Sequence, residues 1–176
     1  MPIYKINLKK ISKLLILALI IYIQFISISL AQSVGSENFN FLGKVYVSDG
    51  DTIKSKNNKI KIRLHGIDAP EAKQTCKNHD DVKYSCGYRS TNFLKSLINR
   101  DQVKCTIKDK DRYGRLIAVC FSGEININAK MVREGWAIAY RYYSKDYVNE
   151  EEIAKKEKKG IWQGSFVEPY IWRKNN

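Results

Sequence analysis

The segment at residues 60–71, IKIRLHGIDAPE, constrains the fold more than any other part of the chain. Ile60, Ile62 and Leu64 alternate with Lys61, Arg63 and His65, the period-2 pattern of a half-buried strand. Gly66 permits a bend late in that strand. Asp68-Ala69-Pro70-Glu71 ends it, because Pro70 lacks an amide hydrogen and restricts the residue before it. One guanidinium, Arg63, therefore lies on the polar face of a strand, and two carboxylates, Asp68 and Glu71, lie at its end. A cation beside two acids on a rigid turn can gather a metal ion, a water and a phosphate. The plainer reading is a surface strand with a solvated turn, since charge clusters perturb one another without having a function.

The neighbouring segments supply a barrel for this strand. Phe41, Val45 and Val47 read as a first strand with a bulge at Gly43. Ser48-Asp49-Gly50-Asp51 is a turn, and residues 52–55 resume a strand that residues 56–58 connect to the Ile60 strand. Three antiparallel strands in a meander are the simplest arrangement. Residues 72–87 are polar, hold Cys76 and Cys86, and read as a loop closed by its own disulfide. Ser90 or Thr91 caps a helix running to about Asn99, with Phe93, Leu94, Leu97 and Ile98 on one stripe. Residues 102–108 and 116–121 are strand-like and flank a charged hairpin loop. Symmetry of that hairpin about the Arg112/Tyr113 junction sets Cys105 opposite Cys120. A second helix spans residues 127–134 and stops at Gly135. A short strand follows at residues 136–139. A third helix is capped by Asn149, acidic at its start, basic at Lys155 to Lys159, and ended by Gly160. Five strands with a helix between the third and fourth give an α+β, mainly β, fold: a five-stranded OB-type barrel with three helices, a class that often binds oligonucleotides.

Residues 1–31 stand apart. They carry four lysines and no acid, then an apolar run from Leu14 to Leu30, then Ser29-Leu30-Ala31 with small residues where a signal peptidase reads. This is the layout of a secretory signal peptide cleaved after Ala31; an uncleaved membrane anchor is the alternative. Residues 32–39 then form a flexible leader, 40–172 the barrel domain, and 173–176 a tail. Without the four lysines of the leading segment, the formal charge of +13 becomes +9, an excess that suits a polyanion such as nucleic acid or an anionic cell surface. Four cysteines in an exported chain read as two disulfides. A zinc site is disfavoured by the absence of a C-x-x-C pair and by His79 being the one nearby histidine.

Three segments carry the reactive groups: Asp49-Gly50-Asp51-Thr52, Arg63 with Asp68-Ala69-Pro70-Glu71, and Asp111-Arg112-Tyr113-Gly114-Arg115. Their order on such a barrel resembles the thermonuclease, or staphylococcal-nuclease-like, family over roughly residues 43–162. The resemblance implies that Asp51 and Asp68 bind Ca²⁺ through their carboxylates and Ala69 through its backbone carbonyl. It places Asp49 just outside that shell, Glu71 as general base, and Arg63 and Arg115 as the grip on the scissile phosphate. Tyr113, Tyr140 and Tyr142 match positions that line the nucleotide pocket.

The residue types suit that chemistry on their own terms. A phosphodiester repels hydroxide, a carboxylate can take a proton from water, and two arginine forks can stabilise added charge on the equatorial oxygens. The expected activity is Ca²⁺-dependent endonucleolytic hydrolysis of DNA and RNA by a monomer with little sequence preference. Two alternatives are a catalytically silent OB module that binds single strands and an envelope-tethered basic protein. Each residue also has a duller reading: Asp49 and Asp51 as turn formers, Arg115 as an ion-pair partner of Asp111, Tyr140 and Tyr142 as packing groups.

Overall fold

The computed structural model describes residues 40–176, apart from 57 and 99–101, together with residues 19 and 22. The expected signal peptide and leader fall outside the described residues apart from those two. In chain order the strands are β1 (Phe41–Gly43), β2 (Val45–Val47), β3 (Thr52–Ser55), β4 (Lys61–Leu64), β5 (Ile67–Asp68), β6 (Cys76–Lys77), β7 (Lys83–Tyr84), β8 (Val103–Lys110), β9 (Leu116–Ser122), β10 (Ile125–Asn126) and β11 (Ile138–Ala139). The helices are α1 (Cys86–Ile98), α2 (Ile127–Arg133), α3 (Val148–Lys156) and α4 (Pro169–Asn175), with a 3₁₀ turn at Gly160–Gln163.

The main sheet runs β1-β8-β9-β4-β3-β2, with β10 added to β9. Because β1 and β2 are two halves of one extended run, this order closes on itself. The first half pairs with β8, Phe41 opposite Cys105, and the second with β3, Val47 opposite Ile53. The change of partner occurs between Gly43 and Val45, which is how the bulge expected at Gly43 works out. The expected meander of β2, β3 and β4 is present, and β4 lies parallel to β9. This is the five-run OB-type barrel anticipated from the strand pattern.

The alternation in β4 sorts its residues as expected: Ile62 and Leu64 are buried, Lys61 is exposed and Arg63 lies between. Ile60, expected on the inner face, precedes the strand and is exposed. The core fills the barrel with Ile53, Ile62, Leu64, Val103 and Ala118, and α1 and α2 cover it with Leu94, Ile127 and Met131. Buried Asn128 locks the parallel junction: its amide donates to the His65 and Ala118 carbonyls and accepts from the Cys120 N–H.

Three helix boundaries differ from expectation. Helix α1 starts at Cys86 rather than at Ser90 or Thr91, because its first turn is drawn in by packing: a Cβ on Gly87 would overlap the Glu71 carbonyl oxygen. Helix α3 starts after Tyr147, not Asn149, because Tyr147 is buried in the core and fixes the entry point. Residues 173–175, expected in a tail, belong to α4, which makes four helices in residues 86–175 where three were expected.

The disulfides are Cys76–Cys86 and Cys105–Cys120. The second joins residues directly opposite in β8 and β9, and a bulge between Ile107 and Asp109, on the loop side of the pair, brings them into that register. Both of its cysteines are fully buried. Replacing both by alanine is expected to lower stability by about 2–4 kcal/mol, because the 15-residue loop constrains the unfolded chain. A urea midpoint unchanged from wild type contradicts that expectation.

Candidate active site

Strand register decides which polar groups meet. Thr52 in β3 lies opposite Arg63 in β4, so Arg63 reaches the turn that carries Asp51. That turn is tight because Gly50 packs against Ser90 and Ala69, where a Cβ would clash. Strand β5 pairs with β11, Asp68 opposite Ile138, which draws Asp68 inward and sets Tyr140 just beyond it. Buried Glu151 holds β11 by accepting the Ala139 N–H, and its carboxylate pairs with Arg141 and Lys155.

The result is a buried knot of charge. Arg63 Nη1 donates to Asp51 Oδ1 and Nη2 to Asp68 Oδ1, each at 2.8 Å. Asp51 Oδ1 also accepts the Thr52 hydroxyl at 3.0 Å, and Oδ2 accepts the Ala69 N–H at 3.1 Å. Asp49 Oδ1 accepts the Asp51 N–H at 3.1 Å. Asp68 is 0% exposed. Burial lowers the Arg63 pKa, but the Asp51 and Asp68 charges outweigh it and hold the guanidinium protonated. Burial raises Asp68 despite its arginine partners. Asp49 is pushed up to about 6, first by burial and then by the Asp51 charge.

A third arginine joins from α4. Arg173 Nη1 lies 2.8 Å from both Asp68 Oδ1 and Glu71 Oε1, and Nη2 lies 3.1 Å from Asp68 Oδ2. Arg115 stands across the cavity in a different setting. Its Nε donates to Asp111 Oδ2 at 2.7 Å, and burial of Asp111 is outweighed by the Arg115 bonds, which lower its pKa. The ion pair anticipated as the dull reading of Arg115 therefore exists, and the residue lines the cavity as well.

That cavity has a volume of about 530 Å³. Of the sequence-predicted residues, Asp49, Asp51, Arg63, Ala69, Glu71, Tyr113, Arg115 and Tyr140 line it. Asp68 lies behind the wall, bonded to Arg63. Tyr142 is 83% exposed and lines an adjoining cleft of about 970 Å³, shared with Tyr113 and Tyr140. Sequence reading missed Lys61, Arg112, Tyr143, Tyr170 and Arg173 as cavity residues. Tyr140, Tyr143 and Tyr170 form one aromatic wall, with Tyr140 centroids 5.2 Å from Tyr143 and 6.4 Å from Tyr170. A signal for α4 was present: Pro169 at a helix start, with Tyr170 and Arg173 spaced to share a face.

The donor set bears on a metal. Asp51 and Asp68 are oxygen-only donors of the kind that suits a hard divalent cation, and their oxygens are engaged here by Arg63, Thr52, the Ala69 N–H and Arg173. Among the described residues no group of three or more His, Cys, Asp or Glu could hold a metal ion. A cation there depends on two carboxylates, with backbone carbonyl and water completing the shell.

A closed OB-type barrel whose cavity gathers carboxylates and guanidiniums is the setting of a phosphodiester-cleaving hydrolase. Residues 61–164 match the family described as Staphylococcal nuclease homologue. An uncharacterized endonuclease of Haemophilus influenzae is 38% identical over 148 residues, 81% of this chain and 78% of that protein. A micrococcal nuclease of Shigella flexneri is 38% identical over 153 residues, 77% of this chain and 82% of that protein. An uncharacterized endonuclease of Escherichia coli O157:H7 is 37% identical over 135 residues, 73% and 82% respectively. The chain belongs to the staphylococcal nuclease family and is a nuclease.

The raised Asp49 pKa has a definite sign. A carboxyl at about 6 when folded and about 3.9 when unfolded stabilises the fold fully below the unfolded value and loses that contribution as pH rises through 6. In chelated protein, the stability difference between wild type and Asp49→Asn is therefore expected to shift against wild type from pH 4 to pH 7. Urea midpoints across that range check it, and a pH-independent difference contradicts it.

Proposed function

We propose that this nuclease hydrolyses DNA, and RNA as well, with little sequence preference, as an exported monomer that uses Ca²⁺. Its signal peptide is cleaved after Ala31. The supporting observation is that Arg63, Arg115 and Glu71 line one cavity with Asp51, and that Arg63 bonds both Asp51 and Asp68.

Asp51, Asp68 and the Ala69 carbonyl would hold the cation, which when bound supplies a Lewis acid for a non-bridging phosphate oxygen. Glu71, its carboxylate one-third exposed to the cleft, takes a proton from the attacking water as the new P–O bond forms. The opposite ester P–O bond breaks, and its oxygen takes a proton from solvent. Arg63 and Arg115 stabilise the charge that accumulates on the equatorial oxygens, and neither can lose its own proton at working pH. Asp49 steadies the Asp51 backbone. Tyr113, Tyr140 and Tyr142 offer ring faces to bases, which every base can use, so affinity comes without sequence choice. Basic side chains hold the phosphate backbone, so binding weakens steeply with salt.

Glu71→Gln, Arg63→Lys and Arg115→Lys are each expected to lower turnover by about two to four powers of ten with the thermal midpoint of Arg115→Lys near wild type. Plasmid nicking measures this, and a near-native rate for Glu71→Gln removes the base assignment. Incubation with plasmid and with single-stranded DNA, with and without chelator, tests the reading as a whole. Degradation that stops with chelator and returns with Ca²⁺ is the expected result. Retardation without cleavage favours a silent binding module, and neither effect favours a basic envelope protein.

A further inference from the structure

Helix α4 brings to the site a group that the three motifs do not contain. The family match ends at residue 164, before α4 begins at Pro169. Arg173 bridges a fully buried carboxylate, Asp68, and one that is one-third exposed, Glu71, through contacts of 2.8–3.1 Å. The backbone of Glu71 is held separately. Its N–H donates to Gln74 Oε1 at 3.1 Å, and fully buried Gln74 donates from Nε2 to the Val167 carbonyl at 2.7 Å. The segment entering α4 is thereby tied to the same residue that α4 clamps. Lys77 and Ser165 form a further β-bridge alongside. Tyr170, one helical turn before Arg173, rests against Tyr140 in the aromatic wall.

We propose that Arg173 is a positioning residue for hydrolysis: its guanidinium fork fixes the Glu71 carboxylate at the cleft wall and ties it to Asp68. This inference rests on the reading of Glu71 as the base. A glutamate one-third exposed has three side-chain torsions to fix, and a base must stand within hydrogen-bond reach of the proton it removes. A planar fork with two nitrogens can hold two carboxylates at once, whereas an ammonium is a single point of charge. Gln74 and Gly87 fix where Glu71 begins, and Arg173 fixes where it ends.

The test uses the full chain with plasmid DNA at saturating Ca²⁺. Arg173→Ala is expected to lower kcat about 10–100-fold with KM for DNA changed less than about twofold. Arg173→Lys restores only part of the rate. Millimolar guanidinium chloride restores part of it to Arg173→Ala. In a Glu71→Gln background the Arg173→Ala change costs little more, because it acts through a group already lost. Circular dichroism checks folding, and Arg173→Lys carries the comparison if the alanine variant does not fold. Calcium affinity is measured alongside by calorimetry, because Arg173 also touches Asp68. An unchanged or raised kcat with much tighter Ca²⁺ binding overturns the proposal and makes Arg173 an occluding cation. A loss that adds fully to Glu71→Gln and resists guanidinium overturns it in favour of a structural role. Wild-type protein that leaves DNA intact overturns the hydrolase reading itself.

Discussion

The bridge from Arg63 to Asp51 and Asp68 is the interaction on which the site depends. Two carboxylates almost wholly inside the protein lie side by side there, and removing such groups from water is costly unless a cation and hydrogen bonds meet them. One guanidinium answers both, at 2.8 Å to each. The bridge requires three separate pieces of chain to converge: the turn before β3, the middle of β4 and the end of β5. A one-residue slip between β3 and β4 turns Arg63 into the core, which strips Asp51 of its guanidinium and leaves Asp68 with Arg173 alone. Register, burial and charge therefore specify one another here.

The barrel was legible because its strands are half-buried. Each run shows alternation, and the runs are separated by Asp-Gly and Asn-Asn turns that only a few backbone geometries satisfy. Cys105 and Cys120 were readable as partners because hairpin geometry is local; the bulge near Lys108, between them and the loop, shifts the register by the one residue that sets them opposite. The motif residues converged on one cavity because they sit at strand ends and turns on a rigid frame. The C-terminal helix was not legible in the same way. Seven residues with no apolar stripe give little periodic signal. What seats α4 is tertiary: Tyr170 against Tyr140, and a guanidinium offered to two acids that lie about a hundred residues earlier in the chain. The start of α1 was hidden for a related reason. Gly87 reads as a helix breaker in sequence, yet close packing against Glu71 demands it there.

Aromatic and basic groups divide the cleft into two surfaces. On one side Tyr140, Tyr143 and Tyr170 stack their rings around each other. On the other, Tyr113 carries the guanidinium of Arg112 at 4.9 Å and that of Arg115 at 5.7 Å from its ring centre. One surface is thus mainly aromatic and the other couples a ring to two guanidiniums. Two disulfides mark the chain as a protein of an oxidising compartment. Among the described residues no helix is long and apolar enough to cross a membrane.

The seven-residue run that holds β1 and β2 serves both margins of the barrel, bonding β8 with its first half and β3 with its second. Phe41 meets Cys105 only after the intervening chain has been made. A growing polypeptide can thus form the β2–β3–β4 meander early but must leave an open seam until β8 arrives. Such non-local closure slows folding. The barrel's last seam is thus sewn by its first strand, and the Arg173 contacts add α4 to the cleft from a segment beyond the barrel.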